Sequence, residues 1–228
     1  IVFTGSKEVG MRLYHAFSAR YTKPCFLEMG GKNAAFVCAS VSDPSSLEAA
    51  VEGCVRSAFG LSGQQCSALS RLFLHRSLAP VFLEKFAERT RNLVVGDPAL
   101  EKTFMGPVIN GAAHRRHLQA VEEARREGKV LVGGRDLSQE AAFEGGFFVE
   151  PVLAQVRPDH RLWRDELFTP FLVVQEFDDL SVALQQANQV EYGLTGGIFS
   201  KDAAELDLFF DRMEAGVLYS NRRTGATT

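Results

Sequence analysis

The sequence predicts an α/β fold in which a largely parallel β-sheet is flanked by helices. Short runs of β-branched and aromatic residues alternate with amphipathic segments along the chain, an order that is typical of strand–helix–strand units. The clearest helix lies between Asp43 and Gly60, where apolar residues recur every three or four positions: Leu47, Ala50, Val51, Cys54, Val55, Ala58 and Phe59. Pro44 and the Ser45…Glu48 pair fit the first turn of this helix.

Eight short segments are predicted strands and five longer segments are predicted helices, with a further helix opening after Gly5. The predicted strands are residues 1–4, 25–28, 34–39, 71–75, 129–132, 171–177, 196–200 and 216–220. The predicted helices are residues 44–60, 78–93, 113–127, 180–188 and 203–213. No internal repeat or low-complexity tract interrupts this pattern.

Composition excludes several classes of protein. The 228 residues, of which 46% are hydrophobic and 23% charged, can bury a full core. A net charge of −3 without basic runs gives no electrostatic reason to expect nucleic acid or an anionic membrane as a partner. The apolar runs are too short to span a bilayer, and the first residues lack the basic leader of a signal peptide. The four cysteines form no Cys-x-x-Cys motif, so we expect a reducing, cytoplasmic compartment.

Two short stretches carry reactive side chains at the ends of predicted elements. The first, Leu27–Asn33, presents Glu28 before two glycines, and the second, Gly63–Ser67, presents Cys66 in a polar loop. A cysteine attacks a carbonyl carbon as its thiolate, and a nearby carboxylate can take up a proton or activate water. The two stretches together therefore suit covalent catalysis on a carbonyl group.

The segment Gly5–Gly10 follows a predicted strand and opens a helix. The free N–H groups at such a helix start attract phosphate. The segment lacks the Gly-x-Gly-x-x-Gly pattern, so on its own a purely structural strand-to-helix turn is equally compatible with it.

Together, these stretches resemble the aldehyde dehydrogenase superfamily. Glu28-Met29-Gly30-Gly31-Lys32 resembles its base motif, Gly63-Gln64-Gln65-Cys66 its nucleophile motif, and Phe3-Thr4-Gly5-Ser6 followed by Val9-Gly10 its segment for the NAD pyrophosphate. Further landmarks extend the resemblance over essentially the whole chain: Gly106–Ile109, Phe148–Leu153, Glu166–Pro170 and Tyr192–Ser200. In the third of these the family has glycine where this chain has Thr169, which puts the local backbone conformation in question.

The resemblance implies a division of the chain and an activity. Residues 1–29 correspond to the last strand–helix unit of the NAD-binding domain, and residues 30–228 to the catalytic domain. Both ends look cut, so we expect a piece of a longer, homo-oligomeric protein that is inactive in isolation. The implied reaction is the NAD-dependent oxidation of a small aldehyde, with NADP as an alternative cofactor.

The resemblance also assigns roles to residues. Cys66 corresponds to the nucleophile that forms a thiohemiacetal and then a thioester, and Glu28 to the base that activates water for thioester hydrolysis. The residues corresponding to cofactor-binding positions are Gly5, Ser6, Val9, Met29, Gly30, Glu166 and Phe168. Of these, Glu166 corresponds to the glutamate that holds the nicotinamide ribose hydroxyls.

Two features bear on the substrate. Ser67 follows the nucleophile, and the N–H groups of the Gly225-Ala226 loop could form an anion-binding nest. Both resemble Δ1-pyrroline-5-carboxylate dehydrogenases, which oxidise L-glutamate γ-semialdehyde in proline catabolism, and there this pair of elements grips the α-carboxylate and ammonium. Succinylglutamate semialdehyde dehydrogenase and broad-range aldehyde dehydrogenases are the alternatives.

Other classes of function remain open at this point. A cysteine and an acid also occur in cysteine hydrolases, although His75 lies at a strand end with no comparable loop, and the chain could be a catalytically silent binding domain. Cys25, Cys38 and Cys54 lie on apolar faces and are interpreted as small core residues. His114 and His117 have no third ligand at suitable spacing, so no metal site is predicted. The basic residues of that helix are interpreted as a solvated face.

Overall fold

The structure is a computed structural model that describes residues 1–143 and 145–228. The strands are β1 (Val2–Thr4), β2 (Phe26–Glu28), β3 (Asn33–Val37), β4 (Leu69–His75), β5 (Gly128–Val132), β6 (Val152–Val156), β7 (Phe171–Phe177), β8 (Thr195–Phe199) and β9 (Val217–Ser220). The α-helices are α1 (Lys7–Ser18), α2 (Pro44–Phe59), α3 (Ala79–Arg91), α4 (Gly111–Glu127), α5 (Leu180–Ala187) and α6 (Ala203–Arg212). Short 3₁₀ turns cover Gly60–Gly63, Ala141–Phe143 and Arg161–Trp163.

The strands form two separate sheets. Strands β1 and β2 pair in parallel by themselves, and the other seven form one sheet in the order β5-β6-β7-β4-β3-β8-β9. Only β5 and β6 are antiparallel within the large sheet. The predicted α/β fold with a largely parallel sheet is therefore confirmed. Along the described residues, no helix is long and apolar enough to cross a membrane.

The eight predicted strands are all present, but β6 was not predicted. The strand begins directly after Pro151, and its first two residues belong to a stretch that was interpreted as a sequence landmark. Four of its five residues are buried, as expected of a strand with parallel and antiparallel neighbours inside a covered sheet. Such a short apolar run has no alternation to reveal it.

The core lies on both faces of the large sheet. Successive residues of a strand point to opposite faces, so Ala35 and Val37 pack under α2 and α3 while Ala34 and Phe36 pack on the other side with residues of α4, α5 and α6. On that second face Phe36 stacks on Phe73 with ring centroids 4.9 Å apart. The sheet that carries the candidate site is thus held from both sides.

Helix α2 leads the chain to the Cys66 loop. Its N-cap is Asp43, whose carboxylate accepts a hydrogen bond from the Ser46 N–H at 3.1 Å. The expected Ser45…Glu48 pairing does not form, because the Ser45 hydroxyl donates to Asp43 at 2.7 Å and Glu48 pairs with Arg89 of α3. The start of the helix is therefore stabilised by the Asp43 cap and by the ion pair between Glu48 and Arg89. Its other end leads into the turn that follows.

That turn requires glycine at position 63. Gly63 has φ +65°, and a Cβ there would lie 2.5 Å from the carbonyl oxygen of Thr169. A left-handed backbone and a close approach to another segment both favour glycine. The Cys66 loop can therefore pack directly against the segment that begins at Glu166.

We expect Gly63→Ala to lower the free energy of unfolding by roughly 2–4 kcal/mol, because the substitution adds left-handed strain to a backbone clash. The matched control is Gly60→Ala in the same turn, where φ is −53° and a Cβ would meet nothing within 4 Å. That control is expected to stay within about 0.5 kcal/mol of the parent protein. Denaturant unfolding measures both variants, and equal losses would contradict the explanation.

Candidate functional site

The candidate site lies where the ends of the two sheets meet. Cys66 precedes β4, Lys32 precedes β3 and Glu166 precedes β7, and these three strands are adjacent and parallel. Their amino ends therefore form one continuous edge. Glu28 approaches the same edge from the carboxyl end of β2, so both sheets contribute to the site.

The backbone of Glu28 is hydrogen-bonded to the segment Gly5–Gly10, whose N–H groups are predicted to bind phosphate. The Gly5 N–H donates to the Glu28 carbonyl oxygen at 3.0 Å, while the Glu28 residue itself is exposed. Ser6 is the N-cap of α1, and its hydroxyl accepts from the Val9 N–H at 3.4 Å. The start of α1 and the carboxylate thus share one corner of the small sheet.

Met29 continues this corner by packing against α1. Its Sδ would lie 2.6 Å from a Cβ at Gly10, so Met29 fills the space that this helical glycine leaves. Lys7 adds a contact in the other direction, because its amine pairs with Glu191 and lies 5.6 Å from the ring centroid of Tyr192. Helix α1 is thereby joined to the part of the chain that carries the large sheet.

Cys66 is exposed in a loop that is fixed through its carbonyl group. The Asn33 side-chain amide donates to the Cys66 carbonyl oxygen at 2.8 Å and to the Ala68 carbonyl oxygen at 2.9 Å. The same oxygen would lie 2.4 Å from a Cβ at Gly31. The loop that bears Cys66 therefore rests on the segment that starts three residues after Glu28.

Glu166 packs against the same glycines. Its Oε1 accepts from the Gly31 N–H at 2.8 Å, and a Cβ at Gly30 would lie 2.0 Å from Oε2. Burial raises the pKa of the Glu166 carboxyl, while the Gly31 N–H and the charges of Lys32 and Arg116 act against that rise. The pair Gly30–Gly31 thus lies between the loop of Cys66 and the carboxylate of Glu166.

The segment after Glu166 has an unusual backbone at Phe168 and not at Thr169. Phe168 has φ +53° and is 38% exposed, whereas Thr169 is buried without a positive φ. The Leu167 carbonyl accepts from the Arg116 side chain at 2.6 Å, which holds the segment to α4. The left-handed residue presents the Phe168 ring at the surface beside Glu166, at a cost of about 1–2 kcal/mol.

The predicted substrate residues are adjacent but not arranged as a free anion nest. The Thr227 hydroxyl donates to the Ser67 carbonyl oxygen at 2.8 Å, which brings residues 225–228 beside the Cys66 loop. The Ala226 N–H donates to the Gly53 carbonyl oxygen at 3.0 Å, and the Gly225 N–H donates within its own turn at 3.4 Å. Both N–H groups already donate to backbone carbonyl groups and so do not form a free nest for an anion. The anion-binding role of Gly225 and Ala226 stays a prediction.

Lys32 and Arg71 are buried basic residues close to the site, and no role was predicted for either of them. Lys32 is 2% exposed, and burial together with the charge of Arg71 lowers the pKa of its amine to about 7. Arg71 is equally buried, which lowers the pKa of its guanidinium to about 9. Arg71 donates to the Lys32 carbonyl oxygen at 2.8 Å and to the Ala187 carbonyl oxygen at 2.9 Å.

The other cysteines and the histidines have structural surroundings. Burial raises the pKa of both the Cys38 and Cys54 thiols, so neither is a thiolate at neutral pH. His75 ends strand β4, and Cys66 lies in the loop before the other end of that strand, which is about 20 Å long at the normal rise of a strand. The structure therefore gives no support to a Cys66–His75 hydrolase pair. Within the described parts of the chain, no group of three potential ligands could hold a metal ion.

Asn33 is the site residue that sequence reasoning missed. Its side chain bridges β3, the Cys66 loop and, through an acceptor bond from the Thr195 N–H at 3.1 Å, strand β8. A polar residue that opens a strand of buried apolar side chains was the available signal, because a buried amide needs several partners.

Comparison with known proteins matches residues 1–228 to the aldehyde dehydrogenase family. The 1-pyrroline-5-carboxylate dehydrogenase of Geobacillus sp. (strain WCH70) is 38% identical over 99% of this chain and 44% of that protein. Aminoaldehyde dehydrogenase 1, peroxisomal, from Malus domestica is 35% identical over 97% of this chain and 43% of that protein.

A solved structure gives the same result in three dimensions. The 1-pyrroline-5-carboxylate dehydrogenase from Thermus with bound NAD has a TM-score of 0.87 at 36% identity, over 100% of this chain and 43% of that chain. This chain therefore spans less than half the length of these relatives. Sequence and fold agree with the predicted resemblance along the whole chain, which belongs to the aldehyde dehydrogenase family.

Proposed function

We propose that the protein containing this chain oxidises an aldehyde to a carboxylate with NAD or NADP as the hydride acceptor. The observation that supports the proposal is that the Cys66 loop and the Glu166 carboxylate both pack against the Gly30–Gly31 pair, which begins two residues after Glu28. Cys66 and Glu28 are exposed, and Glu166 is half-buried. Residues 1–29 belong to the NAD-binding domain in this proposal, and residues 30–228 to the catalytic domain.

The described residues fit a dinucleotide. The start of α1 offers N–H groups after Gly5 and a serine cap at Ser6, which suits a pyrophosphate. In this proposal Glu166 accepts hydrogen bonds from ribose hydroxyls, Met29 lies against α1, and the exposed Phe168 ring faces the cofactor. When bound, NAD would supply the acceptor for the hydride. The NAD in the Thermus relative supports this cofactor.

The nucleophilic step is assigned to Cys66. Its thiolate attacks the aldehyde carbon, and the oxygen of the thiohemiacetal becomes negative. Among the described residues, no backbone carbonyl accepts the Cys66 N–H, so that N–H is available to stabilise the oxyanion. Family resemblance assigns the second donor to the part of the enzyme that precedes this chain.

The hydrolytic step is assigned to Glu28. After loss of hydride the acyl group is held as a Cys66 thioester, and Glu28 takes a proton from water as the water attacks. An exposed carboxylate can pass that proton to solvent. We therefore favour a hydrolytic dehydrogenase over an enzyme that transfers the acyl group to coenzyme A.

L-Glutamate γ-semialdehyde is the proposed substrate. The relatives named 1-pyrroline-5-carboxylate dehydrogenase support it, and Ser67 is half-buried beside the nucleophile, where its hydroxyl can donate to the α-carboxylate. Succinylglutamate semialdehyde and simple aldehydes are the alternatives. A homo-oligomeric, cytoplasmic enzyme is part of the same proposal.

We expect Cys66→Ala in the full-length protein to abolish aldehyde oxidation and ester hydrolysis while NAD still binds, because only the covalent step is lost. The matched control is Cys25→Ala, which removes a half-buried thiol outside the loop and should leave activity unchanged. Steady-state kinetics and NAD titration measure both variants. Appreciable oxidation by Cys66→Ala would exclude the assignment.

We expect Glu28→Gln to keep the rapid first turnover of hydride transfer and to slow later turnovers by roughly 10²- to 10⁴-fold, because only thioester hydrolysis needs the base. Stopped-flow absorbance of NADH separates the burst from the steady state. A lost burst with normal hydrolysis would contradict the role given to Glu28.

We expect Ser67→Ala to lower kcat/KM for glutamate semialdehyde by roughly ten- to a hundredfold, the value of one hydrogen bond to a charged group. Hexanal is the internal control, because it has no carboxylate and its kcat/KM should not change. Succinylglutamate semialdehyde tests the alternative substrate. Equal efficiencies for all three aldehydes in the parent enzyme would leave only a general aldehyde dehydrogenase.

A further inference from the structure

Three successive carbonyl groups of the Cys66 loop are held by two different parts of the chain. The carbonyl oxygens of Cys66 and Ala68 accept from the side-chain amide of Asn33, at 2.8 and 2.9 Å. The carbonyl oxygen of Ser67, which lies between them in the chain, accepts instead from the Thr227 hydroxyl at 2.8 Å. The backbone of Ser67 therefore depends on a support that the nucleophile does not share.

The Thr227 hydroxyl is oriented by Ser57 of helix α2. The Thr227 N–H donates to the Ser57 hydroxyl oxygen at 3.1 Å, and the two hydroxyl oxygens are 2.8 Å apart. A hydroxyl has one proton, and that of Thr227 is donated to the Ser67 carbonyl group, so Ser57 must donate to Thr227. Both Ser57 and Thr227 are fully buried, where a lost partner is not replaced by water.

Helix α2 supports the segment before Thr227 as well. The Gly53 carbonyl group, one helical turn before Ser57, accepts from the Ala226 N–H at 3.0 Å. A Cβ at Gly53 would lie 2.6 Å from the carbonyl oxygen of Arg222, so only glycine permits this approach. Helix α2 is therefore joined to the Cys66 loop twice, along the chain through the turn at Gly63 and across space through Thr227.

We propose that Ser57 is a positioning residue for substrate selection, because through Thr227 it fixes the backbone of Ser67 and hence the direction of the Ser67 hydroxyl. The inference rests on the proposed substrate, whose α-carboxylate accepts from that hydroxyl. Ser57 is too buried to touch the substrate, so its effect passes through Thr227 and Ser67. Asn33 holds the carbonyl groups on either side, and the thiol of Cys66 therefore keeps its place when the Ser57 link is broken.

We expect Thr227→Val in the full-length protein to lower kcat/KM for glutamate semialdehyde by roughly three- to tenfold, mainly through a higher KM, since one hydrogen bond that orients Ser67 is lost. The kcat/KM for hexanal, which has no carboxylate, should change by less than about twofold, because the covalent step at Cys66 is untouched. Steady-state kinetics with both aldehydes measure this split.

The matched control is Thr227→Ser, which keeps the hydroxyl and loses only a methyl group. It should retain the parent's preference for glutamate semialdehyde over hexanal. Valine keeps the shape of threonine and serine keeps its hydrogen bonds, so a role in packing alone would make Thr227→Ser the more damaging change.

Ser57→Ala should lower the same preference to a similar extent, because it removes the partner that orients Thr227. Combining Ser57→Ala with Thr227→Val should cause no further loss, since both substitutions interrupt one path. Ser46→Ala replaces a half-buried serine in the first turn of the same helix and should leave the preference unchanged. If Ser57→Ala does not fold, the two Thr227 variants still decide the question.

Hydrogen–deuterium exchange in the ligand-free protein tests the positioning without any substrate. Peptides that span the Cys66 loop should exchange faster in Thr227→Val and Ser57→Ala than in the parent. They should exchange at the parent's rate in Thr227→Ser and Ser46→Ala.

The outcomes are distinct. Equal efficiencies for glutamate semialdehyde and hexanal in the parent would overturn the proposed substrate, whereas the exchange rates would still decide whether Ser57 positions the loop. Equal losses for the two aldehydes in Thr227→Val, a larger loss in Thr227→Ser than in Thr227→Val, or unchanged exchange in Ser57→Ala would overturn the role of Ser57.

Discussion

The side-chain amide of Asn33 is the interaction on which the arrangement of the candidate site depends. It donates to the carbonyl groups of Cys66 and Ala68 and accepts from the Thr195 N–H. Because Asn33 is buried, each partner left unpaired would cost about 1–3 kcal/mol. The position of the Cys66 loop is therefore set by the first residue of β3 and by β8, and not by the loop alone. Gly31 completes the arrangement, since any side chain there would displace the Cys66 carbonyl group.

The sequence predicted most of the fold because most elements have a clear period or clear ends. Helix α2 has an apolar stripe and a proline in its first turn, and it was found within one residue of the predicted bounds. Its cap was predicted less well, since Asp43 and Ser45 are both good capping residues and only the folded chain shows that Asp43 receives the Ser46 N–H. Strand β6 escaped prediction because a buried five-residue run has neither a helical nor an alternating pattern.

The residues of the site were predicted less completely than the fold, because a sequence pattern contains neither distances nor burial. Motif spacing assigned Glu28, Cys66 and Glu166 to three segments of the chain, but it contains no distances, and it could not show that Gly30 and Gly31 lie between the Cys66 loop and Glu166. The burial of Lys32 and Arg71 was not predicted, because burial is a property of the packed chain. The sequence also left the backbone conformation around Thr169 in question. The structure shows that the left-handed residue lies one position earlier, at Phe168.

Glu28 ends a strand of the small sheet, and Cys66 precedes strand β4 of the large sheet. Ligands in open parallel sheets usually bind at the carboxyl ends of the strands. Glu28 lies at the carboxyl end of β2, whereas Cys66 lies at the amino edge of the large sheet. The link Met29–Lys32 is so short that Glu28 and Asn33 are at most about 18 Å apart.

In the proposed mechanism this division affects the two chemical steps differently. The Cys66 loop is held by residues that open strands of the large sheet, because Asn33 donates to the Cys66 carbonyl group and accepts from the Thr195 N–H. Hydrolysis needs Glu28 as well, whose carbonyl group accepts from the Gly5 N–H beside the paired strands β1 and β2. The proposed hydrolytic step therefore depends on residues from both sheets, whereas the position of the Cys66 loop depends on the large sheet.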